Sequence, residues 1–533
     1  MLHRRRLLAG MAAIATAAPA LSIAQSGPSR AQVLAAMRRA TDFMTDRVAV
    51  NGGYVWSYLA DFSRRWGEME ATQTMIWTQA PGTPEMGHLF LDAYRLTGDE
   101  AYYRAAESAA GALVWGQHSS GGWNYVIDFA GEPSLRRWYE TIGANGWRLE
   151  EFQHYYGNAT FDDHATVQSA EFILRLYLEK RDPRWRPPLE KAVGFVLNSQ
   201  YPNGGWPQRW PRAGEFQNHG NPDYTGFITF NDEVHEQNID FLLKVYARLG
   251  DARVLEPLRR AMNIVVLTQY GQPTPGWSLQ HDLDLQPAGA RTYEPRSIAT
   301  HTTQANTDLL MTFYELTGET RFLARVPEAI AWLETTIAPA DTHTPDGRNA
   351  FTHMEVGTNR PLFVRRRGSN AQNGAYYVNY DPAGKRAERR IDTARLRGRY
   401  ERLRGTSSDE LRRASPLFTE TPAAPPRFVV TRDIVGSDLN APSGGREVGG
   451  ARAAAILSEL NREGWWPTEL RTTSHPYRGP GPAEPPPGFV DRGQVGDDWD
   501  TSPFTLERGP QGISTAAYLR NMSLLIAYAD PLR

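Results

Sequence analysis

The sequence contains no cysteine, which removes disulfides, thiolate metal sites and cysteine nucleophiles together. Any metal must therefore be held by oxygen or imidazole. Lysine is nearly absent too: of 58 basic residues only Lys180, Lys191, Lys244 and Lys385 are Lys, and the rest are Arg. Set against 60 acidic residues they leave a net charge of −2, without the positive excess that nucleic acids or anionic membranes require. What remains is a large stock of guanidiniums, the side chains that grip carboxylates bidentately. Long apolar runs are also missing beyond residue 24, where none approaches the ~18 residues needed to span a bilayer. With 41% hydrophobic and 11% aromatic residues among 533, the chain can still bury a large core, and its composition is not that of a disordered protein.

The one early apolar run is of a different kind. Arg4-Arg5-Arg6 precedes Leu7 to Ala20, and Ser22-Ile23-Ala24 offers small residues at a cleavage spacing. Residues 1–24 therefore read as a signal peptide of the twin-arginine type, with the exported chain periplasmic or extracellular. An uncleaved membrane anchor is the alternative, and the run is near the lower length limit for one.

Self-similarity sets the expected fold. Four segments share an apolar helix ending in Tyr, a short turn, and a second helix: Leu91 to Tyr94 before Gly98-Asp99, Leu174 to Tyr177 before Asp182-Pro183, Leu242 to Tyr246 before Gly250-Asp251, and Leu310 to Tyr314 before Gly318-Glu319. Gly at the turn suits a left-handed helix cap, and the following acid suits the start of the next helix. Gly-Trp loops follow the second helices at Trp123, Trp206 and Trp277, with related loops at Gly52-Gly53-Tyr54 and Gly464-Trp465-Trp466. Hairpins of this kind bury their stripes by stacking sideways, so residues 27–533 are expected to form one all-α domain, an α/α toroid with long rim loops. A helix from Ala31 to Val48 and another from Ser514 to Tyr528 look like the two halves of one hairpin that would close the ring; a linear solenoid is the alternative. Strand character is confined to short runs such as Arg427 to Thr431. Residues 406–450 and 476–510, rich in Pro, Gly, Ser and charge, read as long loops.

The chemistry is expected on one rim. Asp162-Asp163 in TFDDHAT and Asp232-Glu233 in ITFNDE both lie just before the first helix of a repeat. Each Asp has an ordinary use there as an N-cap, but two such sites at matching positions could also form an oxygen-only cation site suited to Ca²⁺. Arg291, Arg360 and Arg365-Arg366-Arg367 add guanidiniums, and Trp206 and Trp277 are expected to line a sugar-binding groove. Trp115, inside a helix, reads as packing. An acidic rim with converging guanidiniums is what a polyanionic sugar would need.

At these residues the sequence resembles the pectate lyases of polysaccharide lyase family 10. The stretch QYPNGGWPQRWP, Gln200 to Pro211, resembles that family's Gly-Gly-Trp loop. ITFND at Ile228 to Asp232, ARTYEP at Ala290 to Pro295 and GTNRPLF at Gly357 to Phe363 follow in the family's order, and TFDDHAT precedes them. The motifs cover about residues 90–405. The resemblance implies an α/α toroid cleaving de-esterified pectin by Ca²⁺-dependent β-elimination. Asp162 and Asp232 would be Ca²⁺ ligands, Arg291 the base, and Arg360 and Arg367 carboxylate binders. Three features depart from the pattern: Asp163 stands where the family commonly has Asn, Arg296 stands where it commonly has an uncharged residue, and its closing Gly-Tyr-x-Trp-Tyr is reduced to something like Gly398-Arg399-Tyr400. The expected partner is an acidic polysaccharide such as polygalacturonate, bound by a monomer with no nucleic acid or membrane involved. A toroid glycoside hydrolase, with Asp162 and Asp232 as its carboxylate pair, and a non-catalytic pectin-binding protein are the competing readings.

Overall fold

The structure, a computed structural model, describes residues 27–145, 150–214, 222–367, 375–419, 424–433, 448–470 and 511–532. The signal segment 1–24 and the loop 476–510 lie outside the described residues. The longer helices are α1 (Arg30–Phe43), α2 (Thr83–Thr97), α3 (Glu100–Trp115), α4 (Glu132–Thr141), α5 (Ala165–Lys180), α6 (Arg186–Ser199), α7 (Val234–Leu249), α8 (Leu255–Leu267), α9 (Thr300–Thr317), α10 (Val326–Thr335), α11 (Thr393–Arg404), α12 (Gly450–Glu459) and α13 (Thr515–Ala529). Strands are short; the longest, Pro361–Arg367, forms a hairpin with Ala375–Asn379.

The repeated hairpins are α2/α3, α5/α6, α7/α8 and α9/α10. Their turns follow from the residues at the joint. Gly98, Gly250 and Gly318 adopt φ of 71°, 67° and 69°, and each donates its N–H to the carbonyl of the repeated Tyr at the helix end. The second unit has no glycine there, and Arg181 takes the left-handed conformation instead, at φ 54°. Asp99, Asp182 and Asp251 then accept an N–H two residues on, which starts the second helix. The first helices lie side by side, α13 on α2, α2 on α5 and α5 on α7, while α8 packs on α9.

The Gly-Trp loops are structural, and this corrects the expectation for Trp206 and Trp277. Both indoles are 0% exposed. Trp123, Trp206, Trp277 and Trp466 donate Nε1–H to the carbonyls of Leu113, Val196, Val265 and Ile456, in the last turns of α3, α6, α8 and α12. Carbonyls in a last turn lack the i+4 amide of the helix interior, so each indole supplies a donor there and fills the space between hairpins. Neither Trp206 nor Trp277 can stack on a sugar. Trp115 departs from expectation in the opposite direction: it is 56% exposed beside Phe129 at 4.6 Å between ring centroids.

The loop glycines are fixed as firmly. Gly204 has φ 101°, and a Cβ there would lie 2.1 Å from the Arg260 carbonyl oxygen in α8. At Gly98 the φ is equally left-handed, but a Cβ would meet nothing within 4 Å. Gly98→Ala is therefore expected to cost only the conformational penalty of roughly 1 kcal/mol. Gly204→Ala adds a backbone clash and is expected to exceed roughly 2 kcal/mol. Urea unfolding of the two variants checks the order, and equal losses would refute the packing account.

The two terminal half-units meet. α13 packs on α1 and α2, the Tyr518 and Thr41 hydroxyls are 2.6 Å apart, and Gln511–Ser514 pairs antiparallel with Ser57–Leu59. Gly464, after α12, sits against the Arg39 carbonyl of α1 just as Gly204 sits against α8.

The segment following α11 is not a plain loop. Helical turns occupy Ser408–Ala414 and Val430–Asp433, so the β character read at Arg427 to Thr431 is not realised as a strand. This strap passes the C-terminal halves of the first helices. Ser408 donates to the Gly318 carbonyl, the amides of Val429 and Thr431 donate to Asp92 of α2, and Arg427 pairs with Asp530. Asp92 is also buried against Arg175 of α5 at 2.6 Å. The strap therefore covers the end of the helices away from their N-termini. Among the described residues no helix is long and apolar enough to cross a membrane.

Candidate active site

At the opposite end, two loops of matching sequence lead into α5 and α7. Thr160-Phe161-Asp162-Asp163-His164 and Thr229-Phe230-Asn231-Asp232-Glu233 have the same backbone, with consecutive left-handed residues at Asp163 (φ 45°) and His164 (62°) and at Asp232 (48°) and Glu233 (59°). Asp163, not Asp162, is thus the structural counterpart of Asp232. Left-handed non-glycine residues cost of order 1–3 kcal/mol each and concentrate at functional sites. No side chain here caps α5 or α7, which sets aside the N-cap explanation for these aspartates.

The twisted backbones turn the carboxylates towards each other. Asp162, Asp163 and Asp232 each offer one oxygen, all lying within 4.8 Å of one another. Asp162 is buried; its Oδ2 accepts from the Tyr125 hydroxyl at 2.6 Å and from Arg291 Nη2 at 2.7 Å, while its Oδ1 has no partner. Gln79 Nε2 donates to Asp163 at 2.7 Å and to Glu68 at 2.9 Å. Asn231 donates to Asp232 at 2.8 Å and to Glu294 at 3.1 Å.

Arg291 sits among these acids, 7% exposed. Its guanidinium contacts Glu151, Asp162 (2.7 Å), Asp232 (3.2 Å) and Glu294 (3.2 Å). Next to it, the Thr292 backbone and hydroxyl donate to Glu150, so two consecutive glutamates hold the Arg291 loop.

The electrostatics follow from seven carboxylates, Glu68, Glu150, Glu151, Asp162, Asp163, Asp232 and Glu294, crowding one guanidinium. Burial pushes the Asp162 carboxyl up, but Arg291 and the Tyr125 hydroxyl outweigh it and hold the group below its usual range. Asp163 is driven well above that range by burial and then by the charges of Asp162, Asp232 and Glu68. Asp232 is driven up by burial and by Asp162 against the pull of Arg291. Glu68 and Glu150 rise to about 7, mainly by burial. Burial works against the Arg291 cation, but Glu151, Asp162 and Glu294 hold it firmly protonated.

The elements that assemble this cluster, from the Glu150-Glu151 turn through the two aspartate loops to the Arg291 loop, fall within one stretch of chain. Residues 140–392 match the pectic acid lyase family. The resemblance seen in the motifs therefore holds over the segment that carries them. Within this matching segment lie all the acids contacting Arg291; Glu68, Gln79 and Tyr125 come from outside it. Similar solved structures include a family 10 polysaccharide lyase from Cellvibrio cellulosa (18% identity, covering 62% of this chain and 95% of that one, TM-score 0.38) and a mutant of that lyase in complex with trigalacturonic acid (19%, 62% and 96%, 0.38). An α-1,6-mannanase from Salegentibacter sp. HEL1_6 aligns over 94% of this chain and 99% of its own at 12% identity and TM-score 0.36. No curated protein matches the chain.

The two other arginines expected at the site, Arg360 and Arg367, are placed elsewhere in the fold. Arg360 stacks on Tyr380, its guanidinium carbon 3.4 Å from the ring centroid. Arg367 ends the strand Pro361–Arg367, opposite Ala375; its side chain lies outside the described residues. The sequence placed Asp163 among the candidate cation-site acids, but the resemblance gave only Asp162 and Asp232 as ligands, although aligning TFDDH with TFNDE pairs Asp163 with Asp232. Sequence reasoning missed Glu68, Gln79, Tyr125, Glu150 and Glu151, none of which carries a repeat or a local motif.

Proposed function

We propose that the chain is a polysaccharide lyase that cleaves polygalacturonate or a related uronate polymer by β-elimination. The observation that carries this is Arg291, one buried guanidinium among four carboxylates, inside a segment matching the pectic acid lyase family.

The donor set suits Ca²⁺: hard oxygens only, three carboxylates converging, and one buried oxygen, Asp162 Oδ1, left without a partner. Asp162 and Asp232 would hold the ion, with Asp163 as a third ligand. Bound there, Ca²⁺ would supply positive charge beside a substrate carboxylate. Arg291 would take the proton at C5 of the uronate; the C4–O bond then breaks, the departing oxygen takes up a proton, and the electron pair left at C5 forms a C4–C5 double bond, with no water consumed. Surrounding acids favour protonated Arg291, so it becomes a base only where their charge is drawn off and the pH is high. Arg360 and Arg367 would bind carboxylates of the polymer. The site would stand on the rim of an α/α toroid, in an exported enzyme.

The test is to incubate the protein with polygalacturonate, with Ca²⁺ or with a chelator. The expected result is ultraviolet absorbance from the unsaturated product in step with new reducing ends. In chelator, turnover is expected to vanish while the helical circular dichroism persists, because the helices are held by packing remote from the acids. Reducing ends without absorbance would mean hydrolysis and overturn the proposal.

A further inference from the structure

Beside the Arg291 loop lies a cleft of about 350 Å³ whose walls include Pro295, Arg296, Glu355, Leu362, Val378 and Tyr380, large enough for one sugar unit by the usual scale of ligand pockets. Pro295 and Arg296 directly follow the turn in which Arg291 and Glu294 are bonded, so cleft and acidic cluster share one loop.

The charges at this cleft are unbalanced in the direction opposite to the cluster. Arg296 is exposed; its Nε donates to the Pro287 carbonyl at 2.8 Å, and among the described residues its two terminal nitrogens make no hydrogen bond or ion pair. Arg360 lies on the Tyr380 ring, and its charge helps hold the Glu355 carboxyl below its usual range. The acid nearest to hand, Glu355, is already engaged: the Tyr380 hydroxyl donates to one oxygen at 2.6 Å and Thr358 to the other. The Arg296 guanidinium, open at its terminal nitrogens beside the apolar faces of Pro295, Leu362 and Val378, presents an anion site next to a surface a sugar ring can lie on.

We infer that Arg296 is a specificity-determining residue, binding the carboxylate of the uronate next to the one that reacts at Arg291. This rests on the uronate-lyase reading, because the ligand it requires is a polymer with a carboxylate on successive sugars. Esterifying that neighbouring sugar removes the charge and leaves Arg296 unpaired. The cleft thus selects for polymer that is de-esterified beyond the point of cleavage.

The experiment compares Arg296→Ala with wild type on polygalacturonate and on highly methyl-esterified pectin. Loss of one charge-assisted contact should raise KM on polygalacturonate about tenfold and leave kcat nearly unchanged. On esterified pectin KM should hardly move, so the preference between the two polymers narrows. The salt dependence of KM should also flatten, and Arg296→Lys should recover part of the loss. A merely structural role would lower the melting temperature and affect both polymers alike, and that outcome overturns the inference. Calorimetric titration with trigalacturonate separates the cleft from the chemistry. If wild type cleaves neither polymer but Arg296→Ala still binds the trimer more weakly, the lyase reading falls and the cleft stands. Equal binding by both proteins overturns the cleft alone.

Discussion

Arg291→Lys is expected to lower kcat on polygalacturonate by roughly 10²-fold or more while changing KM little, the pattern for loss of a general base. The substitution keeps a positive charge but replaces a planar fork with a single ammonium. In the native site the fork touches Glu151, Asp162, Asp232 and Glu294 at once, and one nitrogen cannot hold four acids in those directions. Arg291→Ala would be harder to interpret. Removing the cation from buried acids costs about 3–5 kcal/mol in comparable ion pairs, so lost activity could reflect lost structure. Arg360→Lys serves as the contrast, since a carboxylate binder remote from the reacting atoms should mainly raise KM. Steady-state kinetics and melting temperatures of both variants decide the matter. An Arg291→Lys enzyme with near-normal kcat and an unchanged melting temperature would move the base to another residue.

Without calcium, stability is expected to fall as pH rises from about 5 to 8. Glu150 titrates at about 7 in the folded protein because it is buried, against an ordinary value near 4.5. Between those values the folded state binds more protons than the unfolded chain, so raising the pH favours unfolding, and the loss is complete above the folded value. The full shift corresponds to about 3 kcal/mol as an upper figure for Glu150. Glu68 moves in the same direction but is only half-buried, so its contribution is smaller. Calcium should act oppositely. Asp163 and Asp232 are pushed up by burial and by Asp162, so an ion binding there must displace protons, and binding tightens as pH rises. The gap in melting temperature between calcium and chelator should therefore widen from pH 5 to pH 8. Parallel curves would show that the acidic cluster binds no calcium.

The helical hairpins were readable because each is announced locally: Tyr before a left-handed cap, then an acid that starts the next helix. The recurrence of Gly-Trp was readable as well, but not its direction. A glycine followed by an indole looks the same whether the ring faces a sugar or a helix end. The helix-end carbonyls of Val196 and Val265 that claim Trp206 and Trp277 are visible only once the hairpins are stacked. The active cluster divides in the same way. Asp162, Asp232 and Arg291 stood out through their motifs, whereas Glu151 and Glu68 reach the site from turns with no repeat and no characteristic spacing. Their importance comes from burial beside a shared guanidinium, a property of the assembled fold that no window of sequence contains.

The meeting of α1 with α13 also has a consequence in time. The apolar face of α1, with Val33, Met37 and Ala40 fully covered or nearly so in the finished protein, is among the first parts of the fold to be synthesised, and α13 is the last helix. At about 5–20 residues per second the interval between them is on the order of half a minute to a minute and a half. Until then only the early α2/α3 hairpin can shield that face, through contacts such as Arg38 with Asp99, and the part that α13 will cover stays open to a chaperone.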